Sequence, residues 1–124
     1  NAPQDPPAFV LDQRKDSVFD AKLAALQKQY HGTFPKVESP LELNKTNIKA
    51  MIAKRFAWPL IAEDEHRLQF LATTGVFRFE DDVVFEFSED SLRIRSRSRV
   101  GEYDFGTNAQ RVLAIILALN TYAE

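Results

Sequence analysis

The sequence predicts an α+β domain with two layers, an antiparallel sheet of four or five strands with helices packed on one face. Apolar residues recur at helical spacing in residues 17–30 and 45–56, and again in 108–122. Between residues 58 and 100 the apolar period changes to two, which is typical of strands. The order is therefore two helices, then the strands, then a last helix.

Composition limits the class of protein. A chain of 124 residues with 44% apolar residues and ten Phe has material for one core. The net charge of −2 gives no overall field that would attract nucleic acid, so no nucleic-acid partner is predicted. Without cysteine, disulfides, thiolate metal sites and cysteine nucleophiles are excluded. No apolar run approaches the roughly 20 residues that cross a bilayer.

The chain divides into a short arm and one domain. Residues 1–14 hold three of the six prolines, which favour extended backbone, and we predict an arm or linker there. Residues 15–124 form a single domain, in which Asp16 caps the first helix and Asn44 caps the second. The strand-like segments are 58–62, 67–73, 76–79, 82–87 and 92–100.

The last two strand segments predict a hairpin with one self-consistent register. On one side the apolar residues Phe87 and Phe85 face Leu92 and Ile94, and a slip by one residue would destroy this match. The apolar side is predicted to lie against the helices. The full set of pairs is Phe87–Leu92, Phe85–Ile94 and Val83–Ser96 on that side, and Glu86–Arg93, Val84–Arg95 and Asp82–Arg97 on the other.

The turn that leads into the last helix has its own signals. Gly101 and Gly106 permit backbone geometry that other residues resist. Thr107 and Gln110 fit a capping box, in which Thr107 is the cap. Asp104 lies near this helix N-terminus, where a negative charge is favoured.

This part of the chain resembles a known family, the domain of unknown function 1499. The family signature is a Phe-x-Asp-Asp segment followed by Arg-Ser-x-Ser-Arg-Val-Gly-x-x-Asp-x-Gly-x-Asn-x-x-Arg. Arg97 stands where the family usually has a small residue. The matching residues are Phe79-Glu80-Asp81-Asp82, then Arg95-Ser96-Arg97-Ser98-Arg99-Val100-Gly101, with Asp104, Gly106, Asn108 and Arg111.

The resemblance also bears on location. Residues 5–9 and 34–41 are similar to segments of a subgroup whose soluble domain follows membrane-spanning helices. It implies a periplasmic or extracytoplasmic domain, tethered to the membrane only through an N-terminal anchor that this chain lacks. It implies no activity, because the family has none established.

Four arginines, Arg93, Arg95, Arg97 and Arg99, recur at strand spacing. Two interpretations are open. In the first, the arginines form an anion site, since an arginine fork binds carboxylate or phosphate in bidentate fashion. In the second, they are neutralised within the domain, in exposed pairs worth only about 0–1 kcal/mol each. The available carboxylates are Asp81, Asp82, Glu86 and Asp104.

The other polar residues of the motif favour a structural role. Ser96 and Ser98 share parity with the buried side of the strand and are predicted to satisfy backbone groups at the corner. Asp81 and Asp82 point to opposite faces, so they do not converge on a metal or a proton. We predict Arg97 as the partner of Asp82, and backbone amides as the partners of Asp81.

These observations leave three hypotheses. The first is a non-enzymatic binding or assembly module of an envelope protein, which holds an anionic ligand or a protein partner and needs no cofactor or metal. The second is a hydrolase with Asp81 or Asp104 as its base, and the third is a purely structural domain. The predicted binding residues are Arg95, Arg97, Arg99, Asp104, Asn108 and Arg111, and the predicted structural residues are Asp81, Asp82, Ser96, Ser98, Gly101, Gly106, Thr107 and Gln110.

Overall fold

The computed structural model describes residues 16–74, 79–99 and 106–122. It has a four-stranded antiparallel sheet with strand order β1-β2-β3-β4, as the sequence predicted. Gly101, Asp104, the predicted arm and residues 76–78 of the predicted strand segment 76–79 lie outside the described residues. The elements are α1 (Ser17–Gln29), α2 (Lys45–Arg55), β1 (Leu60–Asp64), β2 (Arg67–Thr74), β3 (Phe79–Phe87), β4 (Leu92–Ser98) and α3 (Thr107–Asn120).

Both predicted caps of the first two helices are confirmed. The Asp16 carboxylate accepts hydrogen bonds from the backbone N–H groups of Val18 and Phe19, each at 3.1 Å. Asn44 accepts from the N–H of Asn47 at 2.9 Å. Each cap satisfies donors that the first helical turn leaves without an intrahelical partner, and so fixes where the helix begins.

The start of α3 differs from the prediction. Its N-cap is Gly106, at φ 79°, and the cap makes no side-chain hydrogen bond. The Gln110 N–H donates instead to the Gly106 carbonyl at 3.0 Å. Since the left-handed glycine turns the chain one residue earlier, Thr107 already lies inside the first turn, so the predicted capping box does not form.

The β3–β4 register is confirmed at all six predicted pairs. Its apolar side forms the core with the helices: Phe85 is fully buried and meets the ring of Phe70 edge-on at 5.7 Å. Burying a side chain of this kind stabilises the fold by about 1.5–3 kcal/mol. Ile48, Met51 and Ile52 of α2 pack into the same core, together with residues of α3.

Helix α3 lies deepest in the domain. Nine consecutive residues, from Arg111 to Leu119, are buried. A helix buried all round has neighbours on several sides, and α3 contacts α1, α2 and β4. The side chain of Asn120 joins its end to the connector that precedes α2, because it accepts from the Glu38 N–H and donates to the Lys36 carbonyl. This placement brings the first turn of α3 beside β4.

Candidate functional site

A buried ion pair joins β3 to α3. The Nη1 of Arg111 lies 2.6 Å from the Oδ2 of Asp81, and the two side chains are only 5% and 4% exposed. The Arg111 guanidinium also lies over the Trp58 ring, 5.9 Å from its centroid. Asp81 was predicted to bind backbone amides; its partner is instead a guanidinium thirty residues along the chain. A buried carboxylate needs such a counter-charge because it has lost its hydration.

Asn108 and two serines extend this pair into a network. Asn108 accepts from the Ser96 hydroxyl at 2.7 Å and from Arg111 at 3.0 Å, and its amide donates to the Ser98 hydroxyl at 2.9 Å. Arg111 also donates to the Ser96 hydroxyl at 3.2 Å. The inward parity predicted for both serines is confirmed, although their partners are side chains rather than backbone groups. We call Asp81, Ser96, Ser98, Asn108 and Arg111 the buried network, after its buried Asp81–Arg111 pair; the other three residues are half-buried.

The buried network joins β4 to α3, and two of its members, Ser96 and Asn108, also line a cleft beside β4. Its residues come from β3, β4 and α3, so it fixes the edge strand against the last helix. Arg111 and Asn108 were candidates for ligand binding, and the reach of both toward the corner is confirmed. Arg111 is only 6% exposed, however, and its Nη1 bonds three side chains of the network.

On the opposite, outer face of the sheet, Arg99 binds Asp82. Its Nε and Nη2 lie 3.0–3.2 Å from the carboxylate oxygens of Asp82, and Gln69 donates to the same carboxylate at 3.1 Å. The predicted partner, Arg97, pairs with Asp82 only in backbone register. The diagonal arginine takes the carboxylate because a long side chain reaches across one strand step and its fork engages both oxygens.

This contact changes the proton affinity of Asp82. The hydrogen bonds from Arg99 lower the pKa of the Asp82 carboxyl below its ordinary value, and the hydrogen bond from Gln69 acts in the same direction. Asp82 therefore stays ionised at neutral pH. A lowered pKa is the opposite of what a general base near neutral pH requires.

The remaining arginines of the outer face are less well neutralised. Arg93 and Arg95 share Glu86, at 4.0 and 3.7 Å. Arg97, and Arg67 of β2, form no ion pair with any residue in the described ranges. The Nε of Arg67 is buried and has no hydrogen-bond partner. In the described sheet and the residue after β4, five arginines (Arg67, Arg93, Arg95, Arg97 and Arg99) share this face with four carboxylates, Asp64, Glu80, Asp82 and Glu86.

A cleft of about 520 Å³ lies beside β4, and we call it the β4 cleft. Volumes of 300–1,000 Å³ are usual for ligand sites. Its polar wall is the outer face of the sheet, with Arg95 and Arg97 at the edge. The outer-face lining is Arg67, Gln69, Asp82, Val84, Arg95 and Arg97, and the lining on the other side of β4 is Ile94, Ser96, Asn108, Ala109, Val112 and Phe34.

Sequence reasoning missed two polar residues of this cleft, Arg67 and Gln69. Both belong to β2, and they reach the cleft only because β2 pairs with β3 in a register that sets Gln69 opposite Val84. A period-two pattern predicts which side chains of a strand share a face, but not which strand lies next to it. Finding Arg67 and Gln69 would have required the β2–β3 register. Nothing in the sequence pattern indicated that Phe34, from the connector before α2, would line the cleft.

The chemistry of the cleft is that of its described lining residues. Among them the only carboxylate is Asp82, which Arg99 binds. Within the part of the chain that the structure describes, no three His, Asp or Glu side chains come together to hold a metal ion. The described helices include none with the length and apolar character of a membrane span. The groups that could bind a ligand in the cleft are guanidinium groups on its outer wall, with apolar side chains beside them.

Comparison with known proteins gives one match. No curated protein and no solved structure matches the chain. The model of a family described as protein of unknown function (DUF1499) matches residues 1–119, which is nearly the whole chain. The match agrees with the resemblance carried by the motif around the buried network. The chain therefore belongs to the DUF1499 family.

Proposed function

We propose that this domain is a non-enzymatic binding module that holds an anionic ligand or partner on the arginine side of β4. The observation that carries the proposal is the β4 cleft, whose outer wall holds Arg67, Arg95 and Arg97. Two of these, Arg67 and Arg97, have no carboxylate partner among the described residues. Positive charge gathered on one face of a chain with net charge −2 selects for anions locally.

Rigid support makes these arginines suitable for recognition. The buried network holds the inner face of β4 through Ser96 and Ser98, while Arg95 and Arg97 alternate with them on the outer face. An arginine held on a fixed strand loses less freedom on binding than one on a mobile loop. Within the family motif, the residues of the buried network thus have a structural role, and the outer arginines Arg95 and Arg97 have the role of recognition.

The cellular setting of the proposal is the cell envelope. It rests on the resemblance of residues 5–9 and 34–41 to the subgroup whose soluble domain follows membrane-spanning helices. In that setting the domain would stand outside the cytoplasm, and its ligand would be an anionic molecule or an acidic surface of another envelope protein.

Calorimetric titration with citrate and with polyglutamate tests the proposal. Arg97→Gln should weaken binding of either probe about 2- to 5-fold, as expected for an exposed charge pair. The matched control is Lys28→Gln, which removes the same charge from the exposed surface of α1 and should leave binding unchanged. If Arg67→Gln, Arg95→Gln and Arg97→Gln all bind both probes as the unaltered chain does, the proposal is wrong.

A further inference from the structure

Strand β4 lies at an edge of the sheet, and the hydrogen-bond pattern shows which backbone groups face outward. Ser88 and Ser91 exchange backbone hydrogen bonds at the hairpin turn, and the Arg99 N–H donates to the Glu80 carbonyl at 3.1 Å. Antiparallel pairs alternate between hydrogen-bonded and non-hydrogen-bonded positions. The backbone N–H and C=O groups of Arg93, Arg95 and Arg97 therefore form hydrogen bonds with β3. Those of the alternate residues, Ile94 and Ser96, point away from β3.

The far side of β4 borders the β4 cleft. In the described part of the chain, β3 is the only strand that pairs with β4. The β4 cleft borders Ile94 and Ser96 on the inner side of the strand as well as Arg95 and Arg97 on the outer side. A space that touches both faces of one strand passes along its free edge. Ile94 and Ser96, whose backbone groups point away from β3, therefore line the cleft.

We infer that β4 accepts an acidic, extended segment of another protein as a fifth, antiparallel strand. The inference rests on the proposed function and names the class of partner that Arg95 and Arg97 bind. Main-chain hydrogen bonds to a free sheet edge supply affinity, and alternate side chains supply specificity. Here the specificity is charge, because Arg93, Arg95 and Arg97 line the outer side of that edge.

The geometry specifies the sequence that fits. An added strand that bonds Ile94 and Ser96 leaves the arginines at non-hydrogen-bonded positions, where the side chains of opposed residues lie closest. Carboxylates belong opposite Arg97, Arg95 and Arg93. An apolar residue belongs opposite Ile94 and a hydroxyl residue opposite Ser96, which gives Glu-Thr-Glu-Val-Glu when read antiparallel to β4.

A second copy of this chain fits the edge poorly. Two β4 strands paired antiparallel would set arginines against arginines on the outer face, and like charges directly opposite one another are destabilising. The alternating arginines therefore disfavour pairing between two copies of β4 and favour pairing of β4 with an acidic strand. The charge pattern selects a hetero-partner.

Peptides with matched composition test the inference on the whole chain. The peptide Glu-Thr-Glu-Val-Glu, blocked at both ends, should bind more tightly than Glu-Glu-Thr-Val-Glu, and its affinity should fall with added salt. N-methylation of its Thr and Val removes the N–H groups that face β4 and should weaken binding at least about tenfold. N-methylation of the central Glu, whose N–H faces away, should leave binding intact.

Amide hydrogen exchange gives a second, residue-specific measurement. In the free chain the N–H groups of Ile94 and Ser96 should exchange faster than those of Arg95 and Arg97, which bond β3. Added peptide should slow exchange at Ile94 and Ser96 and leave Arg95 and Arg97 unchanged. Protection of Ile94 and Ser96 in the free chain would overturn the inference, since the edge would already be occupied.

The outcomes separate this inference from the proposed function. If both peptides and both methylated forms bind alike while Arg97→Gln weakens all of them, strand addition is wrong and anion binding stands. If Arg67→Gln, Arg95→Gln and Arg97→Gln all bind the alternating peptide and polyglutamate as well as the unaltered chain does, both are wrong. Order-dependent binding that Arg97→Gln weakens about 2- to 5-fold supports both.

Discussion

The guanidinium of Arg111 in α3 and the carboxylate of Asp81 in β3 meet at 2.6 Å in the interior. A buried pair of this kind adds little net stability compared with apolar side chains of similar volume. It does impose a large penalty on any arrangement that separates the charges. The pair therefore specifies where α3 lies on the sheet, and through Asn108 it also specifies where β4 lies.

Removing one partner of the pair should be costly. Arg111→Met should lower the free energy of unfolding by about 3–5 kcal/mol, because Asp81 is left charged and buried without a counter-ion. Urea denaturation measures the effect. Adding Asp81→Leu to Arg111→Met should restore part of the loss, since no unpaired charge remains. Arg93→Met, at a side chain that is 71% exposed, is the control; equal stability of Arg93→Met and Arg111→Met would contradict the assignment.

Asn108 should be the second most sensitive position of the buried network. Asn108→Ala should cost about 1–3 kcal/mol of unfolding free energy, because Ser96, Ser98 and Arg111 each lose a hydrogen-bond partner. Thermal denaturation followed by circular dichroism measures it. Gln110→Ala, two residues along on the exposed side of α3, should change stability by no more than about 0.5 kcal/mol. Similar losses for both variants would argue against the network.

Acid stability should depend on Asp82. Arg99 lowers the pKa of Asp82 in the folded chain, so the stabilisation is complete above the ordinary Asp pKa of about 3.9. It is lost as the pH falls below that value and through the lowered folded pKa. Urea midpoints between pH 5 and pH 2.5 should therefore fall less steeply for Asp82→Asn than for the unaltered chain. Arg99→Gln should flatten the profile in the same way, and identical slopes in all three proteins would refute the linkage.

Gly106 should resist substitution because of its backbone alone. Its φ of 79° is left-handed, and a Cβ there would meet no atom within 4 Å. Gly106→Ala should therefore lower the free energy of unfolding by about 1–2 kcal/mol through backbone strain rather than through a clash. Gly106→Asn should cost less, because asparagine tolerates this region better. Urea denaturation of the two variants checks the order; an Ala variant as stable as the glycine protein would contradict it.

Much of the sheet could be predicted because its signals are local or repeat along neighbouring strands. The hairpin register followed from matching Phe85 with Ile94 and Asp82 with Arg97, since a slip by one residue reverses every side chain. The caps Asp16 and Asn44 each bond backbone groups within three residues. The β2 contribution to the cleft, from Arg67 and Gln69, depended on a longer-range register and was not predicted.

The sequence by itself determined the α+β class, the helix starts at Asp16 and Asn44, and the division of β4 into an inner serine face and an outer arginine face. These depend on contacts within a few residues or on the alternation of a strand. Only the tertiary structure decided that Asp81 pairs with Arg111 and that Asp82 takes Arg99 rather than Arg97. Those choices depend on where α3 packs and on side-chain reach across the sheet, and neither leaves a periodic pattern in the chain.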